Sequence, residues 1–272
     1  QSHHCVTDVV DVDSEKWFDY ARKMSAPKAW ICRREGARLR RVEREIAATF
    51  KATLVATPAE QRLYRSFAPE SAGRIVCIHN GVDSEYFSPD LRYGRPAQME
   101  GTPLVFVGAM DYWPNVDAVI YFSQSILPLV RMRIPDARFI IVGSNPKSEV
   151  KKLDNGTDIF VTGRVSDTRP FAAYAKAIVA PLRIARGVQN KVLEGMSMGK
   201  PVVASPEAVV GIVGHADTEF LVADNPDCFV DAICKAVSSE IGGAIGSKAR
   251  QRILTDYEWS ASVTKLEAAL NA

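Results

Sequence analysis

One stretch in the second half of the chain decides the fold, residues 178–204, which read IVAPLRIARGVQNKVLEGMSMGKPVVA. The apolar run 178–180 predicts a short buried strand that ends at Pro181. A loop with two arginines follows, then a helix from about Gly187 to Gly199, and then a second strand at 201–204. A strand, a helix and a second strand in this order predict one unit of a parallel sheet.

The same alternation extends outward from this stretch. Further strands are predicted at 75–78, 104–107, 138–142, 158–161 and 219–222, and further helices near 115–133, 167–176 and 226–238. Apolar runs separated by amphipathic helices are typical of a doubly wound α/β domain, whose ligands bind at the carboxyl ends of the strands. We assign residues 73–255 to this Rossmann-like domain.

The N-terminal part reads as a partial second domain of the same class. Residues 1–72 contain predicted strands at 6–13 and 52–56, and predicted helices from Ser14 to about 24 and from 29 to 50. Thr57 and Glu60 have the spacing of a capping box and predict another helix start. Residues 256–272 form a last amphipathic helix.

The composition and charge of the chain argue against several kinds of partner and site. The chain has 272 residues, of which 47% are hydrophobic and 24% charged, as in a folded globular protein. Its net charge of +2 supplies no global field for a nucleic-acid backbone, so we expect no nucleic-acid partner. The five cysteines are scattered and never spaced as CxxC, which argues against a zinc site or a disulfide framework and fits a reducing cytosol. We expect no metal and no cofactor.

The start of the helix predicted at Gly187 is the best candidate for an anion site. Its first turn holds no carboxylate, whereas the free N–H groups and the dipole of a helix start favour negative charge there. Gly187 permits a close backbone approach, and cationic side chains flank it, so the segment suits a diphosphate. The candidate residues are Arg183, Arg186, Gly187, Val188, Gln189, Asn190 and Lys191.

Glu194 lies one helical turn after Asn190 and three residues after Lys191, so these side chains share one side of the helix. A carboxylate beyond a phosphate site can accept both hydroxyls of a ribose. The alternative is a surface ion pair with Lys191, and the position at the carboxyl edge of the sheet favours the ligand role. Gly108 and Arg164, which follow two other strands, complete the candidate set.

The predicted helix at 29–50 is rich in arginine and leaves two interpretations open. Mixed with three glutamates, the arginines fit a solvated helix with ion pairs along its surface. The other interpretation is a basic face that contacts anionic lipid or an anionic acceptor.

Several short motifs, in this order along the chain, resemble one family. They are IHNGVD at 78–83, VFVG at 105–108, VG at 142–143, TGRV at 162–165 and KVLEGMSMGKPVVA at 191–204. Together they resemble the retaining glycosyltransferases of family 4, which have the GT-B fold, and more closely the bacterial sugar transferases associated with exopolysaccharide production. The resemblance extends from about residue 7 to the end.

The resemblance implies two Rossmann-like domains across a cleft. The C-terminal domain would bind a nucleotide-sugar donor, the N-terminal domain the acceptor, and the last helix would cross back to the N-terminal domain. Glu194 matches the second glutamate of the family's E-x7-E motif, and the first falls on Arg186, which removes a carboxylate thought to contact the donor sugar. The usual basic pair after Gly108 is replaced by residues 111–113, so diphosphate contacts would come from Arg164, Arg183, Arg186 or Lys191.

The function that the resemblance implies is metal-independent transfer of a sugar, with retention, to a glycan or lipid-linked acceptor in cell-surface polysaccharide synthesis. The location implied is the cytoplasm, with peripheral contact at the inner face of the membrane as an option. Residues 1–72 match only the second half of the family's acceptor domain. We therefore expect nucleotide binding to exceed sugar turnover, and robust transfer by this chain would contradict that. The alternatives are an inactive nucleotide-binding scaffold and a GT-B sugar-nucleotide 2-epimerase.

Overall fold

The computed structural model describes residues 5–9, 12–185 and 187–271. The strands are β1 (Val6–Val9), β2 (Ala52–Val55), β3 (Ile75–Cys77), β4 (Thr102–Val107), β5 (Ala137–Val142), β6 (Ile159–Gly163), β7 (Ala177–Ala180), β8 (Val202–Ala204) and β9 (Leu221–Val222). The helices are α1 (Asp13–Lys23), α2 (Lys28–Thr49), α3 (Pro58–Phe67), α4 (Trp113–Tyr121), α5 (Leu127–Arg133), α6 (Ser148–Lys151), α7 (Arg169–Tyr174), α8 (Asn190–Ser197), α9 (Pro206–Val209), α10 (Pro226–Val237), α11 (Ser239–Asp256) and α12 (Trp259–Asn271).

The chain divides into two compact units. Unit 1 comprises the chain up to Asn80 and from Ser260 onward, and unit 2 comprises Gly81–Trp259. The boundary at residue 73 drawn from the sequence assigns the strand at 75–78 to the second domain. The structure corrects this, because β3 pairs in parallel with β2 and so belongs to unit 1.

Unit 1 is built on a three-stranded parallel sheet in the order β1-β2-β3. On one side, Tyr64 of α3 is fully buried among Val55, Ile75 and Ala47. A second small cluster includes Ala52, Leu54 and, from the C-terminal end of the chain, Ala269, with Leu266 packed against it.

The start of α1 differs from the sequence-based expectation. The helix begins at Asp13, so Ser14 is not its N-cap. Instead, the buried carboxylate of Glu43 in α2 accepts a hydrogen bond from the Ser14 backbone N–H at 2.9 Å. This side chain thus satisfies one of the N–H groups that a helix start leaves without an intrahelical partner. Of the predicted strand at 6–13, Val10 and Asp11 lie outside the described residues.

The capping box at α3 is present and gives a first testable prediction. The Thr57 hydroxyl accepts a hydrogen bond from the Glu60 backbone N–H at 3.1 Å, and Pro58 begins the helix. Replacing Thr57 with Ala leaves that N–H without its partner, so we expect unit 1 to lose about 1 kcal/mol of unfolding free energy. Urea denaturation followed by circular dichroism measures this loss. Thr57→Ser, which keeps the hydroxyl, is the matched control, and an equal loss in both variants would contradict the capping role.

Unit 2 contains a six-stranded parallel sheet in the order β6-β5-β4-β7-β8-β9. All strands and helices predicted for this part are present within a few residues, and the α/β fold with parallel sheets is confirmed. Residues 104–106 and 139–142 in the adjacent strands β4 and β5 are fully buried, which agrees with helices covering both faces. From β4 the chain adds β5 and β6 on one side, then crosses to add β7, β8 and β9 on the other.

Candidate functional site

The crossing creates a switch point between β4 and β7, at whose carboxyl ends ligands of such sheets bind. Gly108 follows β4 and Gly143 follows β5, and the backbones approach closely there. The Gly108 N–H donates to the Val142 carbonyl at 3.0 Å. A Cβ atom built on Gly143 would lie 1.7 Å from the Gly108 carbonyl oxygen, so only glycine fits at Gly143 without movement of the strand ends.

Two helix starts meet over this point through a polar contact. Asn115, in the first turn of α4, is buried, and its side-chain amide donates to the Ala109 carbonyl at 2.9 Å. Its Oδ1 accepts a hydrogen bond from Lys191 Nζ of α8 at 2.5 Å. A Cβ atom on Gly108 would lie 2.7 Å from Asn115 Nδ2, so the glycine makes room for this amide. Gly108, Asn115 and Lys191 therefore form one contiguous cluster.

Lys191 is partly buried, and none of the described carboxylates is hydrogen-bonded to its ammonium group. Its Nζ lies 4.4 Å from the centroid of the Phe106 ring, a cation–π distance. Burial lowers the pKa of Lys191 to about 8, against the opposing effect of Glu194. An ammonium group has three N–H donors, and within the described part of the chain Asn115 is the recorded hydrogen-bond acceptor. The remaining donors can bind an anion at the switch point.

The helix starts later than the sequence predicts. Gly187 has φ +62°, in the left-handed region, and Gln189 is extended at φ −90° and ψ 101°, so α8 begins at Asn190. Gly187, Val188 and Gln189 form the loop that leads into it. Gly211 abuts this loop, because a Cβ atom there would lie 2.8 Å from the Gly187 carbonyl oxygen. No carboxylate occupies the first turn of α8, so its positive end is available to an anion.

Arg183 forms an ion pair that the sequence did not predict. Its guanidinium donates to both carboxylate oxygens of Asp117 in α4, with Nε at 2.9 Å from Oδ2. The Arg183 guanidinium carbon also lies 4.8 Å from the centroid of the Tyr121 ring. The hydrogen bond to Asp117 raises the pKa of Arg183. Arg183 is thus held in a surface ion pair, which lowers its availability for a diphosphate.

This pairing predicts a small effect of Arg183 on nucleotide binding. The side chain is 56% exposed, and exposed ion pairs contribute roughly 0–1 kcal/mol. We expect Arg183→Gln to change nucleotide affinity less than about threefold, measured by calorimetric titration. Asp117→Asn, which releases the guanidinium, serves as the companion variant. A tenfold loss in Arg183→Gln would show that the arginine leaves Asp117 to bind the ligand.

Glu194 lines a cavity of about 200 Å³ within unit 2. The other lining residues are Gly81, Val82, Asp83, Phe87, Asn190, Leu193 and Trp259. Burial raises the pKa of Glu194, and the charge of Lys191 opposes that rise. Within the described residues no hydrogen bond or ion pair to its carboxylate is recorded, so the predicted surface ion pair with Lys191 is not formed. A partly desolvated carboxylate without a donor can accept hydrogen bonds from a ligand.

The remaining arginine candidates lie apart from this cluster or outside the described residues. Arg164 is exposed after β6, at the edge of the sheet and three strand positions from β7, or roughly 14 Å at ~4.8 Å per strand. Arg186 is outside the described residues. Among the predicted donor residues, the structure therefore joins Gly108 to Lys191 and places Asn190 and Glu194 around one cavity.

The comparisons with known proteins agree with this geometry. The sequence profile of the family described as "Glycosyl transferases group 1" matches residues 101–239, which is just over half of the chain and contains the switch point. This chain belongs to that family.

Relatives of this chain include an Escherichia coli enzyme named UDP-Gal:alpha-D-GlcNAc-diphosphoundecaprenol alpha-1,3-galactosyltransferase. The two are 23% identical over 207 residues, which cover 71% of this chain and 53% of the relative. The chain therefore spans about half the length of the curated relative that it matches.

Solved structures show the same fold. A glycosyltransferase from Rickettsia africae has a TM-score of 0.68 at 14% identity, with 94% of this chain and 79% of that chain covered. Sucrose-phosphate synthase from Thermosynechococcus elongatus has a TM-score of 0.70 at 17% identity, with 97% and 66% covered. Anabaena HepE in complex with UDP and glucose has a TM-score of 0.66 at 13% identity, with 98% and 71% covered.

Three residues near the site received no ligand role in the sequence analysis, although Gly143 lies within one of the quoted motifs. Asn115, Asp117 and Gly143 all lie just after strand ends or in the first turns of the helix that follows. Their position after the β4 and β5 runs was the available signal, because such positions line the carboxyl edge of the sheet. Their partners, Lys191, Arg183 and the Gly108 carbonyl, could not be assigned from local spacing.

In the described parts of the chain, no group of three or more His, Cys, Asp or Glu side chains is arranged to hold a metal. All five cysteines are free. None of the described helices combines the length and apolarity needed to cross a membrane.

Proposed function

We propose that this chain binds the nucleotide diphosphate of a sugar donor at the β4/β7 switch point, as part of a retaining sugar transferase. The observation that carries the proposal is the position of Lys191 and Glu194 on α8. Among the described residues, Lys191 is a partly buried cation with no carboxylate hydrogen-bonded to it, and Glu194 is a carboxylate with no hydrogen-bond donor. The acceptor proposed is a glycan or a lipid-linked sugar, in the synthesis of an exopolysaccharide or another cell-surface polysaccharide.

The proposed chemistry is electrostatic. In transfer, the bond between the anomeric carbon and the diphosphate oxygen breaks, and a bond to the oxygen of an acceptor hydroxyl forms on the same face. Negative charge develops on the leaving diphosphate, which takes up the proton of that hydroxyl. The Lys191 ammonium and the positive end of α8 are fixed where they stabilise that charge before the reaction starts. Glu194 accepts hydrogen bonds from the ribose hydroxyls and so orients the nucleotide.

The donor proposed for testing first is a UDP-sugar. The E. coli relative is named for UDP-Gal, and Anabaena HepE was crystallised with UDP. The acceptor in the name of the E. coli enzyme is a sugar on diphosphoundecaprenol, which supports a lipid-linked acceptor here.

The surface of α2 is consistent with peripheral membrane contact as part of this proposal. Trp30 is 64% exposed, and Ile31 beside it is also exposed. Some arginines of α2 fit a solvated helix, because Arg40 and Arg44 are ion-paired with Glu15 and Glu70. Others fit a basic face that contacts lipid, because Arg33 and Arg41 form no ion pair with the described residues. Exposed aromatic and basic residues together suit an anionic lipid surface.

The test is nucleotide binding with a donor-site variant. We expect UDP to raise the Tm by roughly 5–10 °C at a hundredfold excess over Kd, because about 2.7 kcal/mol of linkage stabilises a unit of this size. Glu194→Gln should weaken UDP binding about tenfold, since the neutral amide accepts ribose hydrogen bonds less well than a carboxylate. The matched control is Glu149→Gln, which neutralises an exposed glutamate of α6.

The other outcomes separate the alternatives. If UDP, GDP, ADP and their sugars all leave the Tm unchanged, the chain is a scaffold and not a donor-binding enzyme. If a nucleotide sugar is cleaved to free nucleotide without any acceptor, the activity is that of a sugar-nucleotide epimerase. Transfer of labelled sugar to a lipid-linked acceptor, dependent on Glu194, supports the transferase.

A further inference from the structure

A second cavity of unit 2, of about 430 Å³, lies at the amino ends of β4, β7 and β8, the opposite end of these strands from the donor site. Three cationic side chains line it, Arg95, Lys176 and Lys200, and its lining contains no carboxylate. Nothing in the proposed donor chemistry uses these residues.

The two lysines are held side by side by the sheet. Lys176 directly precedes β7 and Lys200 closely precedes β8, and β7 and β8 pair in register. The backbones are fixed at this end, because the Ile178 N–H donates to the Pro201 carbonyl at 3.0 Å and the Lys176 N–H donates to the Pro103 carbonyl at 2.8 Å. Like charges at the ends of neighbouring strands repel each other, so this arrangement costs stability unless an anion lies between them.

The pKa of Lys200 agrees with repulsion between the two lysines. Burial and the charge of Lys176 both lower the pKa of Lys200. No side-chain hydrogen bond or ion pair is recorded for either lysine within the described residues. Arg95 donates to the Met99 carbonyl through Nε at 3.1 Å and Nη2 at 2.5 Å, which leaves other N–H donors of its guanidinium.

The wall opposite the lysines is the amino-terminal end of the 18-residue helix α11. Ser239, Gly242 and Gly243 line the cavity, and a Cβ atom on Gly243 would meet no atom within 4 Å, so the backbone is open there. The acidic residue of this turn, Glu240, is exposed and is not part of the lining. The positive end of α11 thus adds to the field of the three cations.

We propose that this cavity is a second anion site, separate from the donor site, that takes a phosphate or phosphomonoester group between Lys176, Lys200 and α11. The ligand chemistry is the same for a free phosphomonoester and for the headgroup of phosphatidic acid, a phospholipid whose phosphate is a monoester. The site does not depend on the proposed transferase function.

The test uses the resolved amide signals of glycines in the full chain. Inorganic phosphate and glycerol 3-phosphate are titrated into protein labelled with ¹⁵N-glycine, in a Lys191→Met background that weakens the donor site. Saturable shifts at Gly199, Gly242 and Gly243 support the proposal, and signals of Gly108 and Gly187 report on the donor site. Lys176→Gln and Lys200→Gln should each weaken the affinity about tenfold, and Lys152→Gln, which removes an exposed lysine of the same unit, should not.

A vesicle-binding experiment distinguishes a lipid headgroup from a free phosphate ester as the ligand. Co-sedimentation with vesicles that contain phosphatidic acid but not with phosphatidylcholine vesicles, lost in the Lys176→Gln/Lys200→Gln double variant, assigns the site to a lipid headgroup. Saturation by glycerol 3-phosphate without vesicle binding assigns it to a free ester. The proposal is overturned if neither probe binds, or if binding is unchanged in the double variant while its glycine spectrum shows an intact fold.

Discussion

Replacing Lys191 with Met is expected to weaken binding of the nucleotide diphosphate about a hundredfold and to leave the unfolding free energy within about 1 kcal/mol of the wild type. The loss in binding corresponds to about 2.7 kcal/mol, the range of charge-assisted hydrogen bonds in a desolvated site. The unfolding free energy changes little because two effects of the substitution oppose each other. Methionine removes the penalty for burying an ammonium group, whereas Asn115 Oδ1 loses its hydrogen-bond donor.

Isothermal titration calorimetry with UDP and chemical denaturation measure the two quantities separately. Lys152→Met is the control, because this lysine is exposed on the same unit. Unchanged UDP affinity in Lys191→Met would remove the central observation of the proposed function. A large loss of stability together with a loss of binding would show that Lys191 is a structural residue.

The pH dependence follows from the same residue. The pKa of Lys191 in the folded chain is about 8, below the ordinary value of 10.5. An anion binds the protonated form, so we expect UDP affinity to fall as the pH rises through 8, and not to fall in Lys191→Arg, whose side chain stays charged. Between pH 8 and 10.5 the unfolded chain holds the extra proton, so the contribution of Lys191 to the unfolding free energy rises with pH.

Replacing Gly143 with Ala is expected to lower the unfolding free energy by roughly 3 kcal/mol and the Tm by roughly 10 °C. The added Cβ would lie 1.7 Å from the Gly108 carbonyl oxygen, and backbone cannot rotate away as a side chain does. The ends of β4 and β5 must separate, which breaks the 3.0 Å hydrogen bond from the Gly108 N–H to the Val142 carbonyl. Nucleotide binding should fall as well, because Gly108 adjoins Asn115 and through it Lys191.

Scanning calorimetry measures this effect, and Gly94→Ala is the matched control within unit 2. A Cβ atom on Gly94 would meet nothing within 4 Å, so this variant should stay within about 0.5 kcal/mol of the wild type. A difference of about 2 °C in Tm corresponds to less than about 1 kcal/mol of unfolding free energy. If Gly143→Ala melts within about 2 °C of the control, then the strand ends tolerate separation and the close approach of the two backbones does not constrain this position.

Much of unit 2 could be predicted because its signals are local. Continuous apolar runs such as 104–107 and 139–142 exceed what a half-exposed strand shows, and they predict buried parallel strands. The predicted start of α8 and the predicted domain boundary were wrong, because the backbone conformation and the strand pairing there do not follow from the local sequence. Gly187 in a left-handed conformation delayed the start of α8 by three residues, and the pairing of β3 with β2 moved a strand into unit 1.

The sequence by itself determined the α/β class, the parallel arrangement, and the segment 180–204 that carries the candidate site, because strand and helix periodicity depend on neighbouring residues. Only the tertiary structure decided which of the two described cations, Arg183 and Lys191, is available at the switch point. The partner of Lys191 is 76 residues away and that of Arg183 is 66 residues away, so the choice between a desolvated ammonium and a paired guanidinium depends on how α4 packs beside α8. Desolvation and pairing are properties of a folded neighbourhood, and no local pattern contains them.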